Sequence, residues 1–192
     1  MNVGGHSLVP QSTMKYLGVM FDVKLKFTEH IQYVNKKIGK IVAKIAVVFR
    51  NTFGYGNAAW RIMVKGCINT VYLYASTIWS PALQFQSVID SLRAVQRKVN
   101  TLCARAYKDT GYPITTILAG MPPLEMTIEK RNVSHCHKKK WYPIIWSRLE
   151  PFDVPVTLSV KALRSMLDQR ILESWNKTVS YTHLTLPTIY SV

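Results

Sequence analysis

A chain of 192 residues, 48% of them apolar, is long enough to bury one substantial core and too short for several. Its 25 Lys and Arg against 10 Asp and Glu give a formal charge of +15, which points to a polyanionic partner: nucleic acid, an anionic membrane face or an acidic protein. Three widely spaced cysteines and no secretory leader exclude a disulfide framework and imply free thiols in an intracellular setting; the long uncharged run between Lys65 and Asp90 is too polar and too broken to span a membrane.

The chain opens with a Gly4-Gly5 turn signal between short apolar runs, then an alternating run from Met14 to Phe21, which predicts a small β-hairpin or three-stranded element. Thr28 is placed to cap the next helix, and Glu29 suits the positive end of its dipole. Ile31, Val34, Ile38, Ile41, Ile45 and Val48 repeat at spacings of three and four and form its core face. Lys36, Lys37, Lys40 and Lys44 fall on the opposite side.

After Gly54-Tyr55-Gly56, the apolar positions Trp60, Met63, Val64, Cys67, Ile68, Val71, Ala75 and Ile78 predict a second, central helix stopped by Pro81. A third runs from about Ser87 to Tyr107, with Val88, Leu92, Val95, Val99, Leu102 and Ala106 inward and Arg93, Arg97, Lys98, Arg105 and Lys108 largely outward. Short helices follow at Ile114–Ala119 and after Pro122-Pro123. From Asn132 the regularity fades, until a last amphipathic helix from about Ser159 to Lys177. The fold class is therefore α+β, mainly α: a small N-terminal hairpin or sheet followed by a helical bundle.

Catalytic chemistry is hard to place. No adjacent Asp pair exists, and Asp22 alone cannot make a two-metal site, so it reads as a turn or capping residue. His135-Cys136-His137 are neighbours in sequence, which seldom converge on one tetrahedral ion; with Lys138, Lys139 and Lys140 they read as an exposed basic turn. No nucleophile elbow is present. Trp60 and Trp79 read as core, and only Trp141 and Trp146 lie in a segment loose enough to stack on bases.

Four groups of residues carry a family resemblance. They are Lys15-Tyr16-Leu17-Gly18-Val19 with Asp22, His30 and Ile31; Tyr74-x-x-x-x-Trp79; Leu92-x-x-x-Gln96-Arg97; and Leu118-Ala119-Gly120-Met121-Pro122-Pro123-Leu124. In this order they resemble the end of the palm, the thumb and the following connection of a non-LTR (LINE-type) retrotransposon reverse transcriptase. Relatives commonly carry Gly where this chain has Ala75, an exchange that a helix tolerates on propensity grounds.

The resemblance implies end-of-palm strands over 1–27, a thumb-like bundle over 28–110 and a partly irregular connection over 111–178. Residues 179–192, VSYTHLTLPTIYSV, resemble a translated sequencing adapter. It further implies a primer-grip-like strand at Tyr16, Leu17 and Gly18, and phosphate contacts from Lys36, Lys37, Lys40 and Lys44, with Arg93, Arg97 and Lys98 second. The implied partners are RNA–DNA or DNA duplex and the missing palm and fingers, with no membrane.

The metal-binding Asp pair of that family lies upstream, so no cofactor is implied for these residues, Mg belongs to the intact polymerase, and this part alone is expected to be inactive. The intact element would work in the nucleus, at target-primed synthesis. Composition alone fits a second function equally well: a non-catalytic basic helical module that binds an acidic partner or an anionic surface.

Overall fold

The computed structural model describes residues 2–3, 6–7, 11–51, 57–140 and 158–184. Trp141 and Trp146 lie outside them. The short strands β1 (Asn2–Val3) and β2 (His6–Ser7) pair antiparallel, as the Gly4-Gly5 signal predicts. A second hairpin joins β3 (Thr13–Tyr16) to β4 (Val19–Asp22), with Tyr16 opposite Val19 and Thr13 opposite Asp22.

That register corrects the reading of Tyr16-Leu17-Gly18 as one strand. Leu17 and Gly18 form the two-residue link of the hairpin, with φ of 45° and 84°. Two positive φ values in succession give the backbone a twist that matches paired strands, and glycine takes up the second without strain.

Helix α1 (Thr28–Asn51) begins where expected, and Asp22 serves the turn that leads into it. The Asp22 carboxylate accepts the backbone N–H of Lys26 at 3.0 Å and of Phe27 at 2.8 Å. Burial pushes its pKa up, but these amides outweigh burial and hold it below the ordinary carboxylate value. They also fix a turn in which Leu25 and Phe27 both have positive φ, which a side chain strains. The buried face of α1 is Ile31, Val34, Ile38, Val42 and Ile45, with Ile41 at its margin.

The expected single second helix is broken. It runs as α2 (Asn57–Met63), a π-helical stretch Val64–Ile68 and α3 (Asn69–Leu73). It then stops at Tyr74-Ala75 before the single turn α4 (Ser76–Trp79). The π turn is wider than an α turn, so the inward positions drift to every fourth residue: Trp60, Val64, Ile68, Tyr72 and Ser76. This drift buries Tyr72 and turns Cys67 and Ile78, both expected inside, to solvent. Pro81 does not merely end the segment; it opens a 3₁₀ turn, Ser80–Gln84.

Helices α5 (Gln86–Ala104) and α6 (Tyr112–Ala119) follow. Val88, Ile89, Leu92, Val99 and Cys103 point inward from α5, whereas Leu102, expected inside, is largely exposed. Helix α7 (Leu124–Lys138) corrects the expectation of irregular chain from Asn132: it runs through His135, Cys136 and His137, with Cys136 buried. The His137 ring nitrogen Nε2 lies 2.7 Å from the Leu158 carbonyl oxygen. Helix α8 (Val160–Leu184), capped by the Ser159 hydroxyl accepting the Ala162 N–H at 3.2 Å, continues into the adapter-like segment.

One apolar core extends from Val19 to Ile128, and a small second cluster joins Val133 of α7 to Leu163 and Leu167 of α8. Asn35 ties three helices together. Its Nδ2 donates to the Ser91 hydroxyl at 2.9 Å and its Oδ1 accepts from the Tyr72 hydroxyl at 2.7 Å. No helix among the described residues is long and apolar enough to cross a membrane.

Two stability predictions follow from the strained turns. Ala75 sits in the left-handed region at φ 49°, ψ 23°, so glycine is the better residue there, not the worse one. Ala75→Gly should stabilise the fold by about 1 kcal/mol, raising Tm by about 2–4 °C. Asp22→Ala should lower stability by about 1 kcal/mol through loss of the two turn hydrogen bonds, read as a lower denaturant midpoint at neutral pH.

Candidate nucleic-acid interface

The four motif groups lock together in two pairs. In the first, the Tyr74 hydroxyl donates to the Leu17 carbonyl at 2.9 Å, and the Tyr74 ring lies where a Cβ on Gly18 would meet it at 3.4 Å. The Trp79 indole N–H returns to the Tyr74 carbonyl at 3.1 Å, and the His30 ring packs 5.9 Å from the Trp79 ring. His30 Nδ1 accepts the Met20 N–H at 3.3 Å, which ties β4 to the start of α1. The hairpin tip is thereby anchored from below while Tyr16 (59%) and Leu17 (74%) stay exposed.

In the second pair, Gln96 of α5 holds both sides of the α6–α7 turn. Its Nε2 donates to the Pro122 carbonyl at 2.9 Å, and its Oε1 accepts the Leu124 N–H and the Tyr112 hydroxyl, each at 2.8 Å. Gly120 ends α6 at φ 60°, and a Cβ there would run into the Arg61 guanidinium, whose Nε donates to the Ala119 carbonyl at 2.6 Å. The Ala119-Gly120 step is thus a close approach of backbone to a cation, where a Cβ would displace the guanidinium and the positive φ favours glycine.

Lys36, Lys37, Lys40 and Lys44 are all exposed on α1, opposite its buried face. The row Lys36, Lys40, Lys44 repeats every four residues, which sets neighbouring side chains about 5–6 Å apart at their Cβ atoms. Among the described residues none of these lysines lies in a salt bridge. Lys98 is likewise exposed on α5.

The two arginines differ. Arg93 pairs with the buried Glu125 of α7 at 2.6 Å and lies over the Tyr112 ring. Burial lowers its pKa, but Glu125 outweighs that and leaves it raised. Arg97 donates to the carbonyls of Thr110 at 2.7 Å and Lys108 at 2.6 Å, fastening the α5–α6 loop. Both guanidiniums, expected to face outward, are half-buried and engaged inside the protein.

Local periodicity missed the parts played by Asn35, Arg61, Tyr72 and Tyr74. Tyr74 was legible in the Tyr74-x-x-x-x-Trp79 string, and a polar Asn35 borders the apolar face of α1. Among the described residues no His, Cys, Asp or Glu cluster could hold a metal.

A basic helical scaffold with a tip-anchored hairpin is the class that this geometry defines. No family model and no solved structure matches the chain. Among curated proteins it is similar to the Retrovirus-related Pol polyprotein from type-1 retrotransposable element R1 4 of Nasonia vitripennis, 25% identical over 73% of this chain and 35% of that protein. It is similar to the R1 3 polyprotein of the same species at 24% identity, over 84% of this chain and 43% of the relative. For the R1 polyprotein of Bradysia coprophila the identity is 23%, over 91% of this chain and 17% of the relative. The chain is a homologue of the Pol polyproteins of R1-type non-LTR retrotransposons and spans less than half the length of these relatives.

The His30 environment predicts a pH dependence. Burial depresses the His30 pKa, so the folded state favours the neutral ring that accepts from Met20. The unfolded chain binds the proton more readily, so this contribution is complete above the unfolded value of about 6.5 and is lost as pH falls from there towards the lowered folded value. Wild-type Tm should drop more between pH 7.5 and pH 5.5 than that of His30→Gln, whose amide oxygen can still accept but does not titrate.

Proposed function

We propose that this chain is the thumb-bearing part of a non-LTR retrotransposon reverse transcriptase and grips the primer–template duplex by its sugar-phosphate backbone. The observation that carries the reading is the exposed lysine row Lys36, Lys37, Lys40 and Lys44 on a helix whose other face is locked into the core. Backbone binding needs flexible cations on a rigid support and no base code. Homology to retrotransposon Pol polyproteins supports nucleic acid as the polyanion.

In this reading Lys98 extends the contact, while Arg93 and Arg97 hold the scaffold that carries it. The anchored tip at Tyr16, Leu17 and Gly18 supports the primer end. The palm and fingers of the same polymerase would cover the exposed apolar side chains of Met14, Leu17, Val23 and Leu25 and would bring the carboxylates that bind Mg. Target-primed synthesis would place the intact enzyme in the nucleus. An acidic protein partner is the competing occupant of the lysine face.

Affinity for an RNA–DNA duplex should fall with salt, and replacing all four α1 lysines with Ala should reduce the log–log salt slope by about three to four. Arg93→Ala should instead lower thermal stability and leave the slope of the folded protein nearly unchanged. A slope unaffected by the four lysines would overturn the proposal.

A further inference from the structure

Gly39 lies exposed in the interior of α1, and its φ is not positive. A glycine inside a helix is destabilising relative to alanine, so it needs a reason: close packing, a special backbone angle or the approach of a ligand. Among the described residues, a Cβ at Gly39 would meet nothing within 4 Å beyond its own turn of helix. The fold itself makes no use of the missing side chain. Gly66 is equally unobstructed but lies in the π-helical stretch, where a permissive backbone eases the departure from α geometry.

Gly39 borders the seam between α1 and α5. Lys26, just before α1, holds its Nζ 5.7 Å from the centroid of the Phe85 ring, just before α5. Further along, Asn35 Nδ2 donates to the Ser91 hydroxyl at 2.9 Å and to the Ser91 carbonyl at 3.2 Å. The two helices therefore run side by side in the same direction. Gly39 follows Asn35 by one turn and Lys98 follows Ser91 by two, which puts both on the seam side of their helices. Lys36 and Lys40 flank Gly39 on α1, and all three lysines are exposed. Beyond Asn35 and Ser91 neither helix carries an acidic residue. Asp90, just before that point, is held by the Gln86 amide at 2.7 Å.

We propose that the seam at Gly39 is where one nucleic-acid strand approaches the protein most closely, its sugar-phosphate backbone lying against the bare helix between Lys36 and Lys40 of α1 and Lys98 of α5. Without a Cβ at Gly39 a polymer backbone can reach contact with the helix itself, within range of cations from two helices. A strand that is thin and uniformly charged fits such a seam with no base code. The inference deepens the duplex reading and rests on it for the identity of the polyanion. It adds an uncharged position to the contact, which the lysines alone do not require.

The test is the affinity of the whole chain for an RNA–DNA duplex, read by fluorescence anisotropy, with poly-glutamate as a control polyanion. Gly39→Gln leaves the charge unchanged, improves helix propensity and fills the seam. It should raise Tm by about 2 °C and yet weaken duplex binding by about tenfold or more. Gly66→Gln, equally free of clashes, should keep wild-type affinity. In the wild-type spectrum the Gly39 amide should shift when duplex is added, and the Gly66 amide should not.

A structural glycine would give the opposite pattern, with Tm lowered and affinity of the folded protein retained. Wild-type duplex affinity in folded Gly39→Gln, or equal loss for duplex and poly-glutamate, would overturn the proposal. Should Gly39→Gln fail to fold, the wild-type amide shift decides alone, and an unmoved Gly39 overturns it. A duplex that binds through the four α1 lysines but ignores Gly39→Gln defeats this inference only; a salt slope indifferent to the lysines defeats the duplex reading itself.

Discussion

The clamp that Tyr74 makes on the hairpin tip is the interaction on which the arrangement of the N-terminal half depends. The Tyr74 hydroxyl holds the Leu17 carbonyl while its own carbonyl holds the Trp79 indole, so one residue ties hairpin, central helix and core together. It can do so because the chain leaves the helix at Tyr74, which is extended, and Ala75, which is left-handed. A continuous helix would engage the Tyr74 carbonyl in its own ladder and deny it to Trp79. The broken helix and the strained alanine are therefore the condition for an anchored tip.

The second half is organised on the same principle by Gln96 and Arg61. Both side chains satisfy backbone groups at helix ends: Arg61 the Ala119 carbonyl that ends α6, Gln96 the first amide of α7. Orphan groups at helix termini are an obligatory cost when buried, and long side chains from a neighbouring helix meet it here. The glycine and the two prolines of the turn make room for that solution. Burial, with the nearby Glu125 carboxylate, pushes up the pKa of Tyr112, whose hydroxyl donates to the same Gln96 oxygen.

These locks use three of the arginines. A guanidinium, planar and with several donors, suits fixed internal bonds; an ammonium on a flexible stem suits a solvated surface. Arg61, Arg93 and Arg97 are internal, and the exposed row on α1 is all lysine. Helix α8 joins through its own small apolar cluster and the Lys130–Asp168 ion pair.

Sequence by itself determined the mainly helical class, the buried face of α1 and its lysine row, the basic character and the similarity to retrotransposon Pol polyproteins. All of these are local periodicities or local strings, and a periodic pattern needs no distant partner to be legible. Tertiary structure decided the rest: that Leu17-Gly18 is a turn, that a π-helical stretch shifts the inward face to Tyr72, that α7 runs through His135-Cys136-His137, and that Arg93 and Arg97 are engaged internally. Each depends on a partner far away in the chain, such as Leu17 for Tyr74, Glu125 for Arg93 or Leu158 for His137. Ala75 states the reason most directly. Helix propensity favours alanine over glycine at that position, but the fold needs a positive φ there, and hydrogen bonds made by its neighbours outweigh the local preference.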